Sequence, residues 1–299
     1  MHFVERVDWS FTDEPRGYAG HAEGLGRRPL VERSGGAIHT ELAIARLAPE
    51  GWVDGHVHAF EKALYVLAGE PVLALEQRRL RLRPGDYALV PMGTRHSWAN
   101  PEGGEARWLS VSTPQTIPPE EVRRDTFFAP GDDDARRGPA APPQPGPTSR
   151  WVGHYEGTPP QSEALHLADP ARGRRSAGRD TALVVYSGIS VKMLVDRVFG
   201  SELLTMFTVD YEPGGSAQIH DHPFEEAYFF LDGEIDAVLE GREYTVRAGD
   251  IVFAGVGATH GFFNTGSGRV RWIETQAPQP PERHSYRWVD DWKRLEAGT

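Results

Sequence analysis

His220, His222, Glu226 and His260 have the types and spacing of a mononuclear metal site. The chain has no cysteine, so imidazole and carboxylate are the strong ligands left to it. On an extended strand alternate side chains share a face, so His220, His222 and Glu226 point into one cavity. His260 enters from a neighbouring strand, past a tight turn at Val256-Gly257. Three neutral imidazoles and one carboxylate hold a divalent first-row ion and leave one or two positions open, as a catalytic site requires. An isolated His-x-His is more often a surface or turn pair, but four ligands at these offsets, with Gly257 and Asn264, are not a chance pattern. The same parity sets Gln218, Tyr228, Phe230 and Phe262 beside the ion, giving an apolar cavity with a few polar groups. Glu226, Tyr228 and Gln218 are the candidate catalytic residues, the last two to orient substrate.

The pattern occurs twice, 164 residues apart. His56, His58 and His96 stand where His220, His222 and His260 stand, but Lys62 replaces Glu226 and Glu61 matches Glu225. Between residues 56–115 and 220–279, 22 of 60 positions are identical, which marks two homologous domains rather than a solenoid. Three readings of the first copy compete. It binds no metal and Lys62 meets an anionic substrate; or His56, His58 and His96 alone hold a weaker second metal; or a bulge turns Glu61 inward as fourth ligand. An ammonium beside a dication is repulsive, so weak or absent metal is expected there.

The elements that must position these residues read as β. Short apolar runs at 42–47, 63–67, 87–90, 203–209, 227–231 and 251–254 lie between Gly, Pro and Asp turns. Glu240-Gly-Arg-Glu243 and Glu76-Gln-Arg-Arg79 read as hairpin turns, although only the first carries glycine. The expected organisation is an N-terminal arm (1–35), a barrel (36–115), a Pro/Gly-rich linker (116–180), a second barrel (181–280) and a C-terminal tail (281–299). Trp9, Trp288 and Trp292 in the arms fit packing on a domain or in a homodimer.

The residues His220, His222, Glu226, Gly233, Gly249, Gly257, His260 and Asn264 resemble the two motifs of the cupin superfamily, with Gly255 in place of a proline. Both copies match, so the chain resembles a bicupin over about two-thirds of its length. The resemblance implies an all-β fold of two tandem antiparallel jelly-roll barrels (double-stranded β-helices), each enclosing one site. It does not fix the reaction, because one fold hosts many chemistries.

Composition narrows the class. A net charge of −11 without a basic cluster argues against nucleic acid or an anionic membrane as partner. No apolar run is long enough to span a bilayer and no signal peptide is visible at the start, so a cytoplasmic protein is expected. The Arg, Gly and Pro bias suggests a GC-rich bacterial genome. The expected function is a metal-dependent enzyme with one Fe, Mn, Ni or Zn ion in the C-terminal barrel, acting on a small polar or carboxylate metabolite, with a dioxygenase favoured. The alternatives are a hydrolase or isomerase, such as a ureidoglycine aminohydrolase-like enzyme, whose ligand set departs from this one, and a non-catalytic binding protein. Arg271 is expected in a structural salt bridge, as is its twin Arg107.

Overall fold

The computed structural model describes residues 1–13, 15–101, 103–117, 124–129, 134–143, 151–155, 163–164, 186–280 and 287–288. The chain opens with strand β1 (His2–Arg6). The next eleven strands form one sheet: β2 (Thr12–Asp13), β3 (Ala22–Val31), β4 (Glu41–His58), β5 (Glu61–Ala68), β6 (Val72–Leu75), β7 (Arg78–Arg81), β8 (Asp86–Val90), β9 (His96–Ala99), β10 (Ala106–Thr113), β11 (Thr126–Phe128) and β12 (Val152–His154). The second sheet takes β1 with β13 (Glu163–Ala164), β14 (Tyr186–Val195), β15 (Thr205–Asp221), β16 (Glu225–Asp232), β17 (Glu234–Leu239), β18 (Arg242–Arg247), β19 (Asp250–Ala254), β20 (His260–Phe263), β21 (Val270–Ala277) and β22 (Arg287–Trp288). The fold is all-β, two tandem antiparallel jelly-roll barrels, as the sequence predicts.

The two sheets repeat one strand order, β12-β8-β5-β10-β4-β9-β6-β7 and β1-β19-β16-β21-β15-β20-β17-β18. Both hairpin turns form. Leu75 pairs with Arg78 and Leu239 with Arg242, leaving Glu76-Gln77 and Glu240-Gly241 as two-residue loops with positive φ at both positions. The sequence alternates less than a half-exposed sheet would, because β5 and β8 are buried on both faces. Inside the C-terminal barrel Tyr211, Tyr228, Phe230, Phe262 and Trp272 form one aromatic core. Burying each such ring contributes on the order of 2–3 kcal/mol.

Two compact units result, and each gathers a short segment from elsewhere in the chain. One comprises Asp8–Gly157 with Leu194–Leu204; the other comprises Met1–Val7, Thr158–Met193 and Thr205–Thr299. The expected boundaries differ from this division. Residues 1–35 are shared between the units, β1 pairing with β19 and β3 with β4. The stretch read as a linker supplies β11 and β12, which pair with β4 and β8, and the tail supplies β22, which pairs with β15. Open strand edges attract such short segments, and composition alone does not reveal them. Trp9 lies beside Arg107, whose guanidinium carbon is 5.1 Å from the ring centroid; Trp292 lies outside the described residues. Among the described residues no helix is long and apolar enough to cross a membrane.

Candidate metal centres

In the C-terminal barrel β15 and β20 bring His220 directly opposite His260, and the turn leading into β16 carries His222. All three are buried, with ligand nitrogens within 4.8 Å of one another. The turn that delivers His260 depends on Gly257, whose φ is +71° and whose N–H donates to His222 O at 3.0 Å. Glu226, from β16, places Oε2 2.8 Å from His222 Nε2 and 3.0 Å from His260 Nε2. The four predicted ligands therefore converge, with the carboxylate seated against two of the three imidazoles.

The imidazole tautomers follow from their backbone partners. His220, His222 and His260 Nδ1 lie 2.8, 2.9 and 2.9 Å from the carbonyls of Gln218, Phe224 and Ala258. A carbonyl only accepts, so each Nδ1 carries a proton and Nε2 is the nitrogen that each ring, once neutral, can offer to an ion. Burial holds His220 at about 3, with His260 adding to the shift. Burial also pushes His222 down, but the Glu226 carboxylate outweighs it and raises that ring. Burial likewise acts to raise Glu226, and the attraction of His222 and His260 overcomes it, holding the carboxyl well below its usual range. Neutral nitrogens and an ionised carboxylate are the donor set a divalent ion needs, and the residues fit one.

A polar layer beneath the ligands was not foreseen. Gln276 Nε2 donates to Glu226 Oε1 at 2.6 Å, and the Tyr228 hydroxyl donates to Oε2. Gln276 is fixed in turn by Thr205 Oγ1, which donates to its Oε1 at 3.0 Å. Glu274 accepts from Trp272 Nε1 at 3.0 Å, and burial together with the nearby Glu226 charge pushes it well above the usual carboxyl range, so it is held protonated. The available signal was a Glu and a Gln at alternate positions of the otherwise apolar β21. Tyr228 therefore orients the carboxylate ligand, while Phe230 and Phe262 are buried in the aromatic core.

Gln218 is a correction. It is exposed, and its carbonyl rather than its side chain serves the site. The ladder between β15 and β20 slips between Ala217 and His220, and that bulge reverses the parity on which the expectation rested. Asn264 of the motif is structural: its amide donates to the carbonyls of Glu212 and Gly268 at 3.0 and 2.8 Å. Arg271 pairs with Asp210, Nε to Oδ1 at 2.7 Å, the structural role expected of it, and Arg107 Nε lies 3.5 Å from Glu105.

In the N-terminal barrel His56 faces His96 across β4 and β9, and His56, His58 and His96 also bring their nitrogens within 4.8 Å. The Nδ1 atoms of His56 and His96 lie 2.7 and 3.1 Å from the carbonyls of Asp54 and Thr94. Thr126 Oγ1 donates to Asp125 at 3.1 Å and so accepts from His58 Nδ1, also at 3.1 Å. The lone pair on His58 Nε2 then accepts from Lys62 Nζ at 3.0 Å. The buried His96 Nε2 has no hydrogen-bond partner and would suit an ion, but Lys62 holds the lone pair that such an ion would take from His58. Burial lowers Lys62 to about 7, with Arg27 adding to it, and burial followed by Lys62 lowers His56 to about 3. The bulged Glu61 reading is overturned. The pairing of β5 with β8 is regular from Lys62 to Tyr65, and Glu61 turns away to accept from Ser201 Oγ and, at 3.0 Å, from the Glu202 amide.

The family described as "Cupin domain" matches residues 43–112 and 207–275. Solved structures with the same fold include a putative glyoxylate-induced protein from Pseudomonas aeruginosa (18% identity, 95% of this chain and 91% of that one, TM-score 0.63). A salicylate 1,2-dioxygenase from Pseudaminobacter salicylatoxidans shares 15% identity over 84% of this chain and 76% of that one, with a TM-score of 0.64. An oxalate decarboxylase from Lactobacillus farciminis shares 16% identity over 98% and 90%, with a TM-score of 0.60. An endoribonuclease YbeY of Myxococcus xanthus is 36% identical over 93 residues, which is 29% of this chain and 32% of that protein's length.

Proposed function

From two cupin domains in tandem, which make this chain a bicupin, we propose a metal-dependent enzyme whose chemistry resides in the C-terminal barrel. The observation that supports this reading is the ionised Glu226 facing the Nε2 atoms of His222 and His260, with the Nδ1 of all three rings committed to a backbone carbonyl. A divalent ion bound there would supply open positions for substrate oxygen atoms and, if the ion is iron, for O₂.

The chain's own groups do the rest. Tyr228 and Gln276 occupy both oxygens of Glu226 and so keep it from swinging out of reach. Neutral Glu274 adds no second negative charge beneath the site. Phe224, stacked on His222 at 3.9 Å between ring centroids, screens that ring from water. The substrate is proposed to be a small polar carboxylate and the reaction an O₂-dependent cleavage.

The test is metal content together with O₂ uptake. Wild type should carry one ion per chain, lost in His220→Ala, and the iron-loaded protein should consume O₂ with a carboxylate from a panel of small acids. Turnover without O₂ uptake would instead indicate a decarboxylase, hydrolase or isomerase. Ligand-induced thermal stabilisation without turnover would indicate a binding protein.

A further inference from the structure

The two barrels place opposite charges at the same spot. Glu226 Oε2 lies 2.8 Å from His222 Nε2, and four residues after the equivalent histidine Lys62 Nζ lies 3.0 Å from His58 Nε2. The substitutions around that lysine are concerted. Relative to Tyr228, Glu274 and Gln276, which fill the C-terminal interior, the N-terminal barrel carries Leu64, Ser110 and Ser112. Smaller side chains leave space, and a cavity of about 1190 Å³ opens there, lined by Lys62, Arg27, Ser110, Ser112, Phe60 and Thr126 among others. His56, His58 and His96 do not line it; Lys62 stands between His58 and the cavity.

Among the described residues no carboxylate comes within ion-pair distance of Lys62. The acids in the wall are engaged elsewhere. Glu41 pairs with Arg27 and accepts from the Thr116 amide at 3.2 Å; Asp125 accepts from the Ile117 amide at 2.6 Å and from Thr126. A cation withdrawn from water is costly unless something supplies its counter-charge. Arg27 keeps donors to spare, because a guanidinium has five and one carboxylate takes at most two. Phe60, stacked on His58 at 4.2 Å, gives the cavity an apolar wall.

We propose that the N-terminal cavity is a binding site for a small organic carboxylate, whose charge is met by Lys62 and Arg27 and whose body lies against Phe60. The site does not depend on the reaction at the C-terminal centre, and its test separates the two. The full chain is titrated calorimetrically with benzoate and oxalate, with neutral benzamide as control, in wild type, His220→Ala and Lys62→Met. At least one carboxylate should bind wild type and His220→Ala alike and bind Lys62→Met at least about tenfold more weakly, while benzamide should not bind. Loss in His220→Ala with retention in Lys62→Met would place the anion on the C-terminal centre and overturn the proposal. So would equal binding of benzamide, or no binding of either carboxylate to wild type. Lys62→Glu supplies an independent measurement: it rebuilds three histidines and a carboxylate, so the chain should gain one metal ion and lose carboxylate binding. A wild type that already holds an ion removed by His56→Ala would overturn the proposal as well.

Discussion

A backbone carbonyl can only accept a hydrogen bond, and five of the six barrel histidines have Nδ1 against one. Those bonds fix which nitrogen keeps a proton, while burial holds His56, His58, His96 and His220 neutral, and that has a consequence for acid stability. In metal-free protein His56 and His220 sit at about 3 against 6.5 in an exposed histidine, and burial holds His58 and His96 well below that exposed value too. Above 6.5 folded and unfolded chains both hold these rings neutral. As pH falls from 6.5 toward 3, the unfolded chain takes up protons that the folded chain refuses, at about 1.4 kcal/mol per pH unit per histidine. His222, raised by Glu226, opposes with one ring against four. The melting temperature of EDTA-treated protein should fall steadily through that window; a flat profile would show the rings to be charged in the fold. The ligand histidines were legible from their spacing alone. Glu274 and Gln276 were not, because their importance lies in what Glu226 needs beneath it, and that becomes visible only when β16 and β21 are paired.

The elements place these residues correctly except where a strand departs from strict alternation. Parity located His220, Glu226, Tyr228 and Phe262, and failed at Gln218, which lies inside the bulge of β15. It also set Lys62 and Glu61 on opposite faces of β5, and the structure supplies what spacing could not: the partner of Glu61. That partner is the 201–204 segment, some 140 residues away, which no local pattern reports. Glu61→Gln replaces one acceptor oxygen with a donor facing an amide. It should destabilise the N-terminal unit by about 1.5–3 kcal/mol, measured by denaturant unfolding, while metal content stays at the wild-type value. Loss of metal in this variant would show Glu61 reaching the histidines after all.

On the scale of the molecule, each compact unit is completed by a distant segment, Met1–Val7 for one and Leu194–Leu204 for the other. Strand β1 covers the edge of β19 from His2↔Ala254 to Arg6↔Asp250, with Phe3 against Phe253 at 5.3 Å. Since Ala254 also pairs with Glu226, deleting residues 1–7 exposes the strand beside the carboxylate ligand. The deletion should lower the melting temperature of the C-terminal unit and weaken its metal retention, with carboxylate binding in the N-terminal unit preserved; the reverse pattern would contradict this division. The sequence by itself determined the duplication, the β class and the histidine sets, because these are written in local spacing and in the self-similarity of the chain; the jelly-roll barrels followed only from the likeness to the cupin motifs. Only the tertiary structure decided what each interior charge meets, the partner of Glu61, the direction of Gln218, and which segment closes which sheet. Those outcomes depend on pairings between residues far apart in the chain, on one bulge, and on which buried charge finds a counter-charge.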